Sequence, residues 1–93
     1  MAQVSFPLTT YQLPSGVPVA DGSLVVRLNA DGQVGTSQIA SNPVRLPLDA
    51  NGTLSTSYLF WSNSNIAPTG TYYIYSVYTS DGEMISGPNL ITL

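Results

Sequence analysis

Short turn signals punctuate this chain at close intervals. They are Ser15-Gly16, Asp21-Gly22, Asp31-Gly32, Asn51-Gly52 and Asp81-Gly82. The runs between them are rich in Val, Leu, Ile, Thr and Tyr, and no helical period persists through the eight glycines and seven prolines. Asp-Gly and Asn-Gly pairs between such runs are typical of tight turns that join antiparallel strands. The sequence therefore predicts an all-β fold, an antiparallel β-sandwich of about seven strands.

The predicted strands belong to one domain, residues 1–93, because a chain of this length holds a single hydrophobic core. The strands are predicted at 4–6, 10–13, 23–29, 36–40, 42–48, 54–61, 71–79 and 83–93. The predicted core residues are Leu24, Val26, Leu28, Leu54, Leu59, Trp61, Tyr73 and Val77. Four prolines, which donate no hydrogen bond to a ladder, are expected at sheet edges or corners: Pro7, Pro43, Pro47 and Pro88.

Reactive side chains are scarce in this sequence. The chain has no histidine, cysteine or lysine, and its only basic side chains are Arg27 and Arg45. It therefore lacks an imidazole, a thiolate and an amine for covalent or acid–base catalysis, and the usual ligands of zinc, copper and iron. Its formal net charge of −3 leaves little to neutralise a phosphate backbone. We expect no enzymatic activity, no catalytic residue, no cofactor, no metal and no nucleic-acid partner.

Four of the five carboxylates are followed by glycine or lie in an Asp-x-Asn-Gly turn, and these four are expected to stabilise turns. They are Asp21, Asp31, Asp49 and Asp81, and the fifth carboxylate is Glu83. Aspartate side chains in such turns accept hydrogen bonds from nearby backbone N–H groups. Segment 49–52, Asp-Ala-Asn-Gly, resembles the opening of a calcium loop but lacks its third ligand and its later glutamate, so a turn is predicted there.

The sequence also bears on membranes and on surface charge. No apolar run approaches the roughly 20 residues of a spanning helix, so no membrane insertion is expected. The first residues lack a basic segment followed by an apolar stretch, so no signal peptide is expected. Only 8% of the residues are charged, which predicts a nearly neutral surface with little repulsion between copies.

Segment 71–79 is the most aromatic strand, and it is apolar on both faces. The face predicted to point into the core consists of Tyr73, Tyr75 and Val77. The opposite face consists of Tyr72, Ile74 and Tyr78. That second face is either a solvated tyrosine ladder or a contact surface for another chain, because tyrosine supplies rigid amphipathic area. The sequence leaves both interpretations open.

Trp61 ends a predicted strand and precedes a polar loop, 62–65. As a core residue it would anchor the packing, with its indole N–H donating to a carbonyl. In the alternative interpretation its ring stacks on a sugar, with Asn63 and Asn65 as polar partners in the contact surface.

Several segments resemble known β-sandwich families. Segment 13–28 is similar to the turn and second strand of prealbumin-like domains. Segments 48–54 and 67–73, with Asp-Ala-Asn-Gly and Ala-Pro-Thr-Gly-Thr-Tyr, resemble a motif pair of carboxypeptidase-regulatory-like and collagen-adhesin B-type modules. Segment 59–82 is similar to small sandwich modules of tailed-phage, prophage and bacterial surface proteins. Segment 86–93 also suits a fibronectin type III strand pair, so prealbumin-like and immunoglobulin-like topologies both stay open.

These resemblances imply a non-catalytic structural module of a phage-type tail or fibre or of an extracellular filament. Such a module would act as a homo-oligomer, or beside other structural subunits, in the virion or at the cell surface. The alternative is an adhesin-type module that binds a host-surface glycan or protein. Collagen-adhesin modules commonly form an isopeptide bond from lysine, which a chain without lysine cannot make.

Overall fold

Eight short strands build this protein, whose structure, a computed structural model, describes residues 3–55 and 58–93. The strands are β1 (Gln3–Ser5), β2 (Ser23–Leu28), β3 (Gly32–Val34), β4 (Ser37–Ile39), β5 (Val44–Pro47), β6 (Leu59–Trp61), β7 (Tyr73–Tyr78) and β8 (Met84–Ile91). All the strand pairs are antiparallel, and the described residues contain one 3-10 turn, Asn63–Asn65, and no α-helix. The predicted all-β antiparallel class is confirmed, with eight strands where about seven were expected.

The largest sheet has the order β5-β2-β7-β8, and one of its faces covers the core. In β2 the alternate residues Leu24, Val26 and Leu28 are buried, as the two-residue period of a strand requires. Leu24 pairs with Val77 and Leu28 pairs with Tyr73, so these residues of β7 lie on the same face. Val77 is 2% exposed and Tyr73 is 5% exposed. The predicted inward face of the tyrosine strand is therefore correct.

The pair β1–β6 forms a second layer over this face. The ring of Phe6, just after β1, lies 5.6 Å from the Tyr75 ring of the large sheet and 5.7 Å from the Phe60 ring of β6. The Phe60 ring in turn lies 5.6 Å from the Tyr73 ring. These edge-to-face contacts join the two layers around one core. The buried core consists of Phe6, Val19, Leu24, Val26, Leu28, Val34, Leu46, Leu48, Leu54, Ile66, Tyr73 and Val77.

The predicted core is wrong at Leu59, whose side chain is 57% exposed. In β6 it is Phe60 that points inward, because its ring packs against the rings of Phe6 and Tyr73. Successive residues of a strand point to opposite faces, so Leu59 is turned to the solvent. Trp61, also predicted in the core, is only partly buried.

Several strand predictions differ from the structure. The predicted strand 10–13 forms only isolated bridges. The predicted strand 54–61 is shortened to β6, and its residues 56–57 lie outside the described residues. An unpredicted strand, β3, pairs with β4 as a hairpin. Gly32, expected in a turn, opens β3 and lies so close to Ile66 that a Cβ at this position would collide with Cγ2 of that side chain.

Proline occupies both edges of the large sheet. The N–H of Leu48 donates to the Gly22 carbonyl, so the backbone polar groups of Leu48 point toward β2. In an antiparallel ladder these groups alternate between the two sides of a strand, so the backbone nitrogen of the preceding residue, Pro47, points to the free edge. At the other edge, the register of β8 on β7 turns the backbone of Pro88 outward in the same way. Proline has no N–H to offer an additional strand. The predicted edge positions of Pro47 and Pro88 are confirmed.

Candidate functional site

The outer face of the large sheet is the side turned away from the core. It carries Val25, Arg27, Arg45, Ile74, Tyr78 and Leu90. Leu90 pairs with Ile74 and, at 67%, is the most exposed large apolar side chain of the described residues. Ile74 and Tyr78, which belong to the predicted contact surface, are partly buried on this face. The sequence did not identify Leu90, which β8 contributes.

Tyr72, the third predicted contact residue of the tyrosine strand, lies directly before β7. The N–H of Asn29 donates to the Tyr72 carbonyl at 2.9 Å, and the N–H of Tyr72 donates to Asn29 Oδ1 at 3.0 Å. These bonds continue the ladder between β2 and β7 beyond the ends of the strands. The alternation of β7 therefore brings Tyr72, Ile74 and Tyr78 to the same side of the sheet.

The side chain of Arg45 contacts Ser23 and Tyr78 at one end of the outer face. Its Nη1 donates to Ser23 Oγ at 2.9 Å, and its guanidinium carbon lies 5.8 Å from the centroid of the Tyr78 ring. A cation over an aromatic ring at an exposed site stabilises by about 0.5–1 kcal/mol. Arg27 and Arg45 are the only basic side chains of the chain, and the four strands of this sheet contain no carboxylate. The outer face is therefore positive on a protein whose net charge is −3.

A bulge in β8 divides the outer face. The pairing of β7 with β8 shifts register in the middle of the strands. There Gly87 has a φ of 109° and lies so close to β7 that an added Cβ would sit 2.8 Å from Ser76 Oγ. Ser76 is 9% exposed beside it. The apolar part of the outer face is consequently centred on Ile74 and Leu90, with Tyr78 on the other side of the bulge.

Trp61 lines a cleft of about 200 Å³ between β6 and the β5 edge of the large sheet. Tyr58 adds a second aromatic ring to this cleft, and Gln3 and Asn42 add amide groups. The hydroxyl of Tyr73 donates to the Trp61 carbonyl at 2.7 Å, and burial raises the pKa of this hydroxyl, so it stays a donor at neutral pH. Trp61 is thus a wall of an open groove rather than a fully buried anchor.

The polar loop that follows β6 is hydrogen-bonded to Thr71 and Leu93. Asn63 is 6% exposed; its Nδ2 donates to Thr71 Oγ1 at 3.1 Å, and its Oδ1 accepts from the N–H of Leu93 at 2.8 Å. Ser62 Oγ donates to the Leu93 carbonyl at 3.0 Å. Asn63 was predicted in a contact surface, and the structure places its side chain in the interior, where it is bonded within the fold. Asn65 is partly buried at the end of the same 3-10 turn.

A second cleft, of about 420 Å³, lies between the N-terminal loop and β8. Its apolar lining includes Leu8, Leu13 and Ile85, which are 36–43% exposed. The hydroxyl of Tyr11 donates to the Leu8 carbonyl at 2.8 Å, and burial, with a smaller effect of Tyr75, raises its pKa. The cleft is therefore uncharged near neutral pH, and its lining combines these apolar side chains with the polar Thr10, Gln12 and Ser86. Its walls come from distant segments, so no local pattern indicated it.

The carboxylates of Asp49 and Asp31 accept hydrogen bonds from different parts of the chain. Asp49 has the predicted turn role, because its Oδ1 accepts from the N–H groups of Asn51 at 2.8 Å and Thr53 at 3.1 Å. Asp31 reaches further along the chain and accepts from the N–H of Ser41 at 2.9 Å, which is the main reason that its pKa is lowered. The described residues contain no group of three or more His, Cys, Asp or Glu side chains placed to hold a metal ion.

The chain has no significant match among protein-family models, curated proteins or solved structures. In the part of the chain that the structure describes, no helix has the length and apolar character needed to cross a membrane. The function is therefore inferred from the surfaces of the molecule itself.

Proposed function

We propose that the protein is a non-catalytic structural module of a phage-type tail or fibre, or of an extracellular filament, in the virion or at the cell surface. It acts by packing its outer face against neighbouring chains. One observation carries this proposal: Leu90 is 67% exposed beside Ile74, on a sheet whose opposite face already covers the core. The residue of β2 opposite Ile74 is Arg27, and Val25 lies diagonally from Ile74, so apolar positions occur on three neighbouring strands of this face. Contiguous apolar surface of this kind marks contact sites, whereas single exposed apolar side chains do not.

Neighbouring chains would pack on this face rather than extend the sheet. Pro47 and Pro88 present no N–H at the two free edges, so strand addition loses hydrogen bonds there. The low charge content leaves little repulsion between copies. The context of a phage tail or surface filament comes from the resemblance of segment 59–82 to modules of such assemblies.

Sedimentation velocity over a concentration series tests this proposal. The average mass of the wild-type protein should rise with concentration, and Leu90→Ser should weaken the rise because it removes the most exposed apolar side chain of the outer face. Leu59→Ser is the matched control, since Leu59 is 57% exposed but lies on β6, in the other layer. A strictly monomeric mass at every concentration, with no partner chain co-purifying from the same source, would overturn the proposal.

An adhesin-type module is the second candidate, and the Trp61 cleft is the observation that favours it. The rings of Trp61 and Tyr58 with the amides of Gln3 and Asn42 combine apolar and polar groups in one groove, as ligand sites do. A host-surface glycan that binds there should shift the fluorescence of Trp61, the only tryptophan. Asn42→Ala should weaken the shift, whereas Asn51→Ala, in a turn that does not line the cleft, should not. An unchanged spectrum across a glycan panel would rule out glycan binding in this cleft.

A further inference from the structure

The positive and negative side chains of this protein lie mostly on different surfaces, with the Arg45 guanidinium near the boundary between them, on Ser23 and over the Tyr78 ring. Both arginines lie on the outer face. Four of the five carboxylates lie in turns at one end of the large sheet, here named the acidic end: Asp21, Asp49, Asp81 and Glu83. The backbone N–H of Asp21 bonds to the Asp49 carbonyl at 2.9 Å, which joins two of these turns. Asp81 lies three residues after Tyr78, and Tyr78 pairs with Ser23, which lies two residues after Asp21.

The shape of the molecule makes the acidic end a narrow one. The molecule measures 42 × 21 × 18 Å. Four strands about 4.8 Å apart span only roughly 15–20 Å, and stacked sheets lie about 10 Å apart, so the 42 Å dimension runs along the strands. The turns at the strand ends therefore form ends of about 21 × 18 Å. The outer face, four strands wide and about six residues long, is roughly 20 Å in each direction. The acidic end and the outer face are thus of matching size.

The outer face is poorly suited to pair with itself. A two-fold, face-to-face dimer would bring two positive surfaces together, because each copy contributes Arg27 and Arg45 to the contact. The strands of this face contain no carboxylate to compensate them. Bringing like charges together in a desolvated contact is unfavourable. A negative surface is therefore the partner that is electrostatically complementary to the outer face.

We infer that the outer face receives the acidic end of a second copy. This inference rests on the proposed function and names its partner: Arg27 and Arg45 of one copy meet Asp81 and Glu83 of the next, around the apolar patch at Leu90. Because the contact joins two different surfaces, it repeats head to tail and builds a line or a ring instead of stopping at a dimer.

The size of the contact sets its strength. A footprint of 21 × 18 Å on each copy corresponds to roughly 800 Å² buried in total, below the ~1,200 Å² of a stable interface. The association is therefore weak and reversible, and salt weakens it further by screening the charges at its rim.

Two variants separate the two surfaces of the contact. The face variant, Arg27→Glu with Arg45→Glu, keeps the acidic end. The end variant, Asp81→Asn with Glu83→Gln, keeps the outer face. Sedimentation velocity at about 0.01 M salt, where charges act over roughly 30 Å, should show each variant alone associating about tenfold more weakly than wild type. The two mixed in equal amounts should form a heterodimer and nothing larger, because only one complementary contact is left.

The control is Asp31→Asn, which removes a carboxylate at the opposite end and keeps an oxygen that accepts from the Ser41 N–H. This variant should associate as wild type does. Circular dichroism and thermal unfolding check that the variants fold. If the double face variant does not fold, Arg27→Glu alone replaces it, since Arg45 is the arginine bonded to Ser23.

The outcomes distinguish this inference from the proposed function. A wild-type mass that stops at the dimer, a face variant that associates as wild type does, or a mixture without heterodimer would each overturn the head-to-tail contact and leave assembly itself standing. A wild-type protein that is monomeric at every concentration would overturn both. Growth of the wild type beyond the dimer, together with a mixture that stops at the heterodimer, is the result we expect.

Discussion

Replacing Phe6 by alanine tests how the two layers are joined. Phe6 is 2% exposed, and its ring meets Phe60 of the second layer at 5.7 Å and Tyr75 of the large sheet at 5.6 Å. The substitution removes both edge-to-face contacts and leaves a cavity between the layers. Its cost therefore measures the contribution of this junction to the stability of the fold.

The magnitude follows from the burial and the ring contacts of Phe6. Replacing a buried phenylalanine by alanine costs about 3–5 kcal/mol, and each aromatic pair accounts for about 0.5–1.5 kcal/mol of that. A domain of 93 residues is stable by roughly 5–14 kcal/mol, so the variant should lose a large part of its stability. Phe6→Leu keeps most of the apolar volume and loses the ring geometry, so it should cost about 1–3 kcal/mol.

Urea unfolding followed by the fluorescence of Trp61 reports on β6, the strand that Phe60 anchors to Phe6. With an m value of about 1.5 kcal/mol/M, Phe6→Ala should lower the midpoint by roughly 2–3 M. The matched control is Leu59→Ala, in the same strand but 57% exposed, which should cost less than about 0.5 kcal/mol. Equal losses for the two variants would refute the packing of the layers around Phe6.

Val77→Ala should lower the free energy of unfolding by about 1–3 kcal/mol in the same urea assay, because the Val77 side chain is 2% exposed and lies opposite Leu24 of β2 on the core side of the sheet. A loss below about 0.5 kcal/mol would contradict this inward orientation. Stability should fall as the pH rises above about 10, since the raised pKa values of Tyr11 and Tyr73 keep these hydroxyls protonated in the fold while the unfolded chain loses the protons. Thermal melts between about pH 8 and about pH 11 measure this fall. Tyr11→Phe should make it shallower, and an identical fall in that variant would exclude Tyr11 as a cause.

The alternation of apolar and polar residues along a strand predicts some parts of the fold and leaves other parts undetermined. The buried leucines and valine of β2 recur at every second residue, so the inward face of this strand could be predicted from the sequence. In β6 three large apolar residues are consecutive, and alternation cannot select between Leu59 and Phe60. Phe6, from a distant strand, decides the question by packing against Phe60. The face of a three-residue strand is thus a tertiary property.

The turn signals in the sequence predicted where the turns lie, but they did not predict how the glycines of these turns pack. At Asp21-Gly22 the positive φ, 55°, belongs to Asp21. Gly22 is required for a different reason, because an added Cβ would collide with the carbonyl oxygen of Tyr78. The approach of β7 to this turn brings together residues far apart in the chain, and a local sequence pattern does not record it.

The candidate surface was predictable to the extent that it belongs to one strand. The three predicted residues of the tyrosine strand lie on a common side because alternation within a strand is local. Leu90 joins them only through the register of β8, and Ser76 is covered only because Gly87 approaches it at the bulge. The side chain of Asn63 lies in the interior because it accepts a hydrogen bond from the backbone N–H of Leu93, far away in the chain.

The position of the two arginines constrains every contact between copies. Outside the outer face the chain carries five carboxylates and no basic side chain. A contact that avoids the outer faces of both copies therefore joins only neutral or negative surfaces and gains no attraction between side-chain charges. A sheet extended from one copy to the next gains little as well, because Pro47 and Pro88 offer no N–H at its edges. An electrostatically favourable contact between two copies thus includes the outer face of at least one of them, which makes charge reversal at Arg27 and Arg45 a more direct test of assembly than a change elsewhere.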